Sequence, residues 1–401
     1  MTTIQSGTKE YKRAKLALFI GGFVTFATVY TTQPLMPVFA EEFNVSAPAA
    51  SLTLSLTTGF LAIIMLGSAS LSERIGMKNI MVFSMIITSC LGLLSSFSPN
   101  FISLLIFRAL IGIFVAGVPS IAMAFIGEEF HLKARAIIMG FYISGSSIGG
   151  MTGRILTGLL TDLFTWRTAF IIIGVGALIL SFSFWYLLPK PQPQLKKKEW
   201  ATGWRSYKLH LTNKQLLFLF ILSFLLMGSF ATMYNYIGFL LTEPPYKLSQ
   251  TVIGFIFIVY LFGSFSSIYM GAKAAQYGKS FILKLSIILT ICGAALTLLP
   301  TLIFKIIGIS LFTFGFFGSH SIASTLVAER AKVNKTQASS LYLLCYYLGS
   351  SFVGSFSGYF WEHFHWIGVI AFICSLLAIG FVLVLVFGSA KFHQIQRRQS
   401  M

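Results

Sequence analysis

Phe26-Ala27-Thr28-Val29-Tyr30, near the start of the chain, returns as Phe230-Ala231-Thr232-Met233-Tyr234, and that pair decides the fold. Three further matches follow in the same order. Gly117-x-x-Ser120-Ile121-Ala122 with Glu128 returns as Gly318-x-x-Ser321-Ile322-Ala323 with Glu329. Tyr142-x-x-Gly145-Ser146-Ser147 returns as Tyr346-x-x-Gly349-Ser350-Ser351, and Asp162-x-Phe164-x-Trp166 as Glu362-x-Phe364-x-Trp366. The offsets stay between 200 and 204, so one half-length unit has been written twice. Duplicated membrane bundles place a binding site at the repeat interface, near the bilayer midplane. The pattern points to a carrier.

Composition agrees. Apolar residues make up 56% of the 401 residues and charged ones only 10%, far from the balance of a soluble domain. Runs of about 20 apolar residues, the length a bilayer core demands, recur twelve times between residues 15 and 388. The expected fold is all-α, with twelve transmembrane helices in two pseudo-symmetric six-helix bundles around a central cavity. Residues 1–188 form the first bundle, 189–213 a cytoplasmic linker, and 214–401 the second bundle with a basic tail. Short loops leave no room for a soluble catalytic domain, so no enzyme is expected. The first apolar run is too long for a signal peptide and stays as a span.

The net charge of +18 would suggest nucleic acid in a soluble protein, but its placement says otherwise. Lys9, Lys12, Arg13 and Lys15 precede span 1, and alternate loops thereafter are basic, through Lys196–Lys198 to Arg397 and Arg398. The opposite loops hold only Arg167, Lys247 and Lys305. That is the positive-inside pattern; it puts both termini in the cytoplasm and makes acidic lipid, not nucleic acid, the partner. Cys90, Cys292, Cys345 and Cys374 lie within spans without metal-ligand spacing, so neither a metal nor another cofactor is expected.

Ala69-Ser-Leu71-Ser-Glu73-Arg74-Ile75-Gly76-Met77-Lys78 after span 2 resembles the signature loop of the major facilitator superfamily, Gly-x-Leu-(Ala/Ser)-Asp-Arg-x-Gly-Arg-(Lys/Arg). It departs at Ala69, Glu73 and Met77. The resemblance makes Glu73, Arg74, Gly76 and Lys78 a conformational latch on the cytoplasmic side. Its counterpart, Gly271 to Lys279, has lost the acid. Arg108-x-x-x-Gly112 in span 4 looks like the Arg-x-x-x-Gly motif of the family's exporter branch, where the arginine is associated with proton coupling. The glycine-rich stretch from Gly140 to Gly158 resembles the antiporter motif, with Gly150 in place of proline and Arg154 in place of glycine. Its small face, Gly145, Gly149, Gly150 and Gly153, is expected to pack against a helix of the other half as a sliding seam.

All eleven carboxylates lie in loops or near span ends, whereas Arg108 and Arg154 lie within spans. A charge at that depth faces a partner or a cavity. An arginine that braces backbone carbonyls is the structural alternative for either one. Without a mid-span acid, the substrate tilts towards something anionic or zwitterionic. His320 is the one histidine well inside a span and suits a proton carrier, or a hydrogen-bonded packing group. Tyr30 and Gln33 in span 1, ahead of or beside Pro34 and Pro37, and Tyr234 and Asn235 in span 7 complete the substrate-lining candidates. The resemblance implies a proton-coupled exporter of a small organic molecule, of the twelve-span drug/proton antiporter-like branch that includes arabinose-efflux-type permeases. It would act as a monomer in a bacterial inner membrane. Multidrug efflux, export of an anionic or zwitterionic metabolite (a sugar or amino-acid derivative, or a metallophore) and nutrient import remain distinct readings.

Overall fold

Apolar stretches of this length can bury their backbone polar groups in lipid only as helices, and the computed structural model is helical throughout. It describes residues 4, 5, 7–189, 207–331 and 333–388, with no β-strand among them beyond an isolated bridge between Ile4 and Phe130. Among the described residues, ten helical stretches are long and apolar enough to cross a membrane. Two more, rich in glycine and serine, bring the number to the twelve of the sequence pattern: Leu132–Leu163, and the broken segment from Lys335 to Phe356.

The helices form two compact units. The first comprises Met1–Trp200 with Gly238–Phe257, and the second Ala201–Ile237 with Ile258–Met401. Of the 189–213 linker, residues 190–206 lie outside the described residues.

Unit 1 contains α1 (Lys9–Tyr30), α2 (Met36–Glu42), α3 (Ala47–Ile75), α4 (Met77–Leu94), α5 (Phe101–Val115), α6 (Gly117–Glu129), α7 (Leu132–Leu163) and α8 (Trp166–Leu187). Local signals start several of them. Thr8 caps α1 by accepting from Tyr11 N, Thr165 caps α8, and Asn100 with Ser103 closes a capping box on α5. Leu18, Val24, Met81, Ile121, Phe125 and Phe184 centre its core. At one end of it Glu42 takes an ion pair from Arg167 and a hydrogen bond from Trp166 Nε1. Gly76 opens α4 at φ 94°, a backbone region that only glycine adopts at low cost, and Gly278 repeats it at φ 93°. That accounts for the glycine of the loop motif after span 2. The side chains of Glu73 and Arg74 lie outside the described residues, and Lys78 Nζ donates to Leu188 O.

The small face of α7 finds its partner inside unit 1. Gly145 faces Phe19, Gly149 faces Phe23 and Gly153 faces Ala27, so α1 of the same bundle, and not a helix of the other half, fills this face. A Cβ at Gly153 would stand 2.6 Å from Ala27 O, so the two backbones touch. Further along α7, Gly158 meets the backbone of Gln250. Gly254 in turn lies against Arg154 O and Ile155.

That segment begins span 8. Lys214–Thr242 is α9, and α10 (Gln250–Ile256) runs on through a short tight turn, Phe257–Val259, into α11 (Tyr260–Tyr277). Unit 2 continues with α12 (Lys279–Leu296), α13 (Leu302–Arg330), α14 (Lys335–Leu348), a wide π-turn at Gly349–Val353, α15 (Gly354–Phe356) and α16 (Gly358–Gly388). The α1–α7 contact recurs here: Gly349 meets Phe224, Gly228 meets Val353, and Thr232 donates to Ser357 Oγ at 3.1 Å. The acid missing from the second loop is supplied from α13, where Glu329 pairs with Lys279.

Candidate functional site

Span 1 is a broken helix. The nitrogen of Pro34 cannot donate back to Tyr30, and Pro37 disfavours helical geometry at the residue before it. α1 therefore stops at Tyr30, and α2 resumes only at Met36. In the gap, Gln33 N turns to Tyr30 O at 3.2 Å and Leu35 N to Thr32 O at 3.1 Å. The last carbonyls of α1 are thereby left for other donors.

Arg108 takes them. It is 1% exposed, and its guanidinium donates from Nη2 to Val29 O at 2.5 Å and from Nη1 to Thr28 O at 3.2 Å. Nε donates to Thr53 O at 2.8 Å, while Thr57 Oγ1 donates to Arg108 O at 2.8 Å. A cation at the carbonyl end of a helix complements its dipole. In this arrangement Arg108 fastens α1, α3 and α5 through backbone groups.

Arg154 approaches the same break from α7. Nε donates to Gln33 Oε1 at 2.8 Å and Nη1 to Gly150 O at 2.7 Å. The guanidinium lies 3.9 Å from the ring centre of Tyr30 and 4.6 Å from that of Phe257, so two aromatic rings lie against it. Gly150 has its own role: a Cβ there would stand 3.3 Å from Arg154 Nη1, so glycine keeps the path of the side chain clear. Tyr30, Gln33 and Arg154 thus come together, and Arg108 grips the turn just before them. The two guanidinium groups hold different partners.

In unit 2, Tyr234 OH shares a 2.5 Å hydrogen bond with Thr313 Oγ1, and its ring packs against Phe230 and Tyr260. Asn235 is buried beside it in sequence. His320 sits elsewhere on α13. Its ring stacks on Phe316 and lies 4.7 Å from Tyr346, with Nδ1 2.9 Å from Tyr342 OH. Ring contacts among Tyr234, Phe230, Tyr260, Phe316 and Phe317 form one aromatic cluster, which reaches His320 through Phe316.

Asp162, noted in the sequence only as a repeat position, accepts from Gln250 N at 3.1 Å and Thr251 N at 2.6 Å. Its carboxylate caps α10 from the end of α7. Asp162→Asn should weaken the first turn of α10 by about 1 kcal/mol, the usual worth of such a cap. Amide exchange at Gln250 and Thr251 should speed up while that of the α1–α7 seam stays unchanged. Unchanged exchange at both amides would remove Asp162 from this role.

A family model described as the Major Facilitator Superfamily matches residues 18–354. The chain is 46% identical over 381 residues to the MFS-type transporter YybF of Bacillus subtilis strain 168, covering 94% of each. It is 41% identical over 380 residues to the inner membrane transport protein YnfM of Escherichia coli K12, covering 94% of this chain and 90% of that one. In structure it resembles the nucleoside transporter NupG in its D323A form, with a TM-score of 0.77 over 93% of this chain and 99% of that chain. At 15% identity that likeness speaks to the fold alone.

Proposed function

The chain belongs to the Major Facilitator Superfamily and is a multi-pass membrane transporter, not an enzyme, and from that premise we propose proton-coupled export of a small anionic or zwitterionic organic molecule. The observation that carries the reading is Arg154, buried at the break of span 1, bonded to the neutral amide of Gln33 and lying against two aromatic rings. A carboxylate binds guanidinium about twice as strongly as a neutral acceptor does. A substrate carboxylate can therefore take the place of Gln33, with Tyr30 and Phe257 flanking it. Arg108, spent on three carbonyls, is read as the brace of this site and not as a second ligand. His320 is the proposed proton carrier, its imidazole oriented by Tyr342. Glu73, Arg74, Gly76 and Lys78 are proposed to latch one state of the alternating-access cycle.

The aromatic cluster of unit 2 favours a second reading, efflux of amphipathic cations, which aromatic faces attract. The test is transport into inside-out vesicles with an imposed, inside-acid pH gradient. The proposal expects organic acids or zwitterions to accumulate and lipophilic cations not to. Accumulation of cations alone would put the second reading first, and accumulation only when the gradient is reversed would make the protein an importer.

The orientation rests on the alternation of basic loops, with both termini and the 189–213 linker proposed to be cytoplasmic in a bacterial membrane. In a background lacking the four native cysteines, Gln5→Cys and Leu195→Cys should resist an impermeant thiol reagent in intact cells. Labelling of either from outside would reverse the topology.

A further inference from the structure

Arg108 is almost fully buried in unit 1, and its bonding is incomplete. A guanidinium carries five N–H donors. Among the described residues, three of them are engaged, by Thr53 O, Thr28 O and Val29 O. A buried donor left unmade costs a large part of its desolvation penalty, so such groups are almost always satisfied by protein or by ordered water. Arg108 also lines a cavity between α1, α4, α5 and α8, together with Thr31, Ser89, Ser95, Phe170 and Ala177. The cavity has room for about one water molecule.

The lining determines what fits. Thr31 donates its hydroxyl proton to Thr28 O and Ser95 donates to Gly92 O. Ser181 donates to Ala177 O, which leaves Ser89 to donate to Ser181. The lining hydroxyls of Thr31, Ser89 and Ser95 have therefore spent their protons and can act towards an occupant only as acceptors. An occupant must accept from Arg108 and donate to hydroxyl oxygens. An anion can do only the first and would meet the oxygen lone pairs; a metal cation would meet the guanidinium charge. Water does both, with the two to four polar partners that a buried water needs.

We propose that one ordered water sits in this cavity, completes the donor set of Arg108 and ties the broken end of α1 to α4. The span-1 break is then held by a hydrated guanidinium hub lying within unit 1 and built from groups outside the Arg154–Gln33 pair. The inference does not depend on the substrate or direction of transport.

Hydroxyl-radical footprinting by X-ray radiolysis of the full chain in nanodiscs tests it, because a bound water generates the radical in place. Phe170, only 3% exposed, should be oxidised several-fold faster than Phe125, which is fully buried and does not line the cavity. Ala177→Val, which fills the space, should bring Phe170 down to the rate of Phe125 and lower the melting temperature, since expelling the water strands the donors of Arg108. Melting of the parent should not respond to exchanging chloride for gluconate. A Phe170 rate equal to that of Phe125 in the parent would overturn the proposal, as would a higher melting temperature for Ala177→Val, the mark of a dry void. Chloride-dependent stabilisation would overturn it in favour of a bound anion.

Discussion

Gly149→Val should abolish the folded transporter, whereas Gly150→Ala, one residue along, should leave it folded. A Cβ at Gly149 would lie 2.5 Å from Phe23 Cα and 2.7 Å from its carbonyl carbon, distances that no side-chain rotation can relieve. α1 and α7 must part, and the contacts at Gly145 and Gly153 go with them because all three lie on one ridge of α7. Overpacking a close-packed site typically costs about 1–3 kcal/mol, and more when backbone blocks the way. With total stabilities of roughly 5–15 kcal/mol, losing the whole seam is expected to be decisive. At Gly150 the nearest obstacle is Arg154 Nη1 at 3.3 Å, the far end of a long side chain. Alanine there also regains up to about 1 kcal/mol of helix propensity. Size-exclusion profiles and melting temperatures of fluorescent fusions measure both. A Gly149→Val protein that elutes and melts like the parent would mean that the α1–α7 contact does not hold this unit together.

The glycine spacing made that face legible in the sequence but not its partner. Small residues four apart mark a stripe on which another backbone can lie, and any helix with a matching ridge will do. Only the fold decides that Phe19, Phe23 and Ala27 fill it. The break in span 1 was legible for a stronger reason, since Pro34 and Pro37 forbid a continuous ladder whatever surrounds them. Arg108 was legible as a costly buried charge, yet its partners are carbonyls, and every residue has one, so no sequence pattern could name them. Arg154 likewise announced a partner without identifying Gln33 or the distant Phe257. Spans 5 and 11, though diluted by glycine and serine, were counted among the twelve apolar runs, and the Tyr142-x-x-Gly145 and Tyr346-x-x-Gly349 repeat runs through both. The lost acid of the second loop was misleading in isolation, because Glu329 reaches Lys279 from another helix.

Gln33→Glu separates a recognition role for Arg154 from a purely structural one. The change is nearly isosteric and replaces the neutral acceptor on Arg154 Nε by a carboxylate at the same 2.8 Å station. Charge-assisted bonds of this kind are roughly twice as strong as neutral ones, and both partners are already buried, at 1% and 4% exposure. The folded state should therefore gain stability, and melting should rise. A tethered carboxylate also competes with any incoming one at an effective concentration in the millimolar range or above. If Arg154 reads a negative substrate group, binding should fall at least about tenfold, or about 1.4 kcal/mol, in the same protein that melts higher. Arg154→Lys should lose transport by a different route, since an ammonium has no planar fork to lie between Tyr30 and Phe257 while gripping a carboxylate with two bonds. It should also melt lower, so the two variants move stability in opposite directions and transport in the same one. A brace offers no reason for a stabilised protein to stop transporting. Gln33→Glu that melts higher and transports normally would make Arg154 a second structural clamp on the span-1 break, and the aromatic cluster of unit 2 would then become the better guide to the substrate.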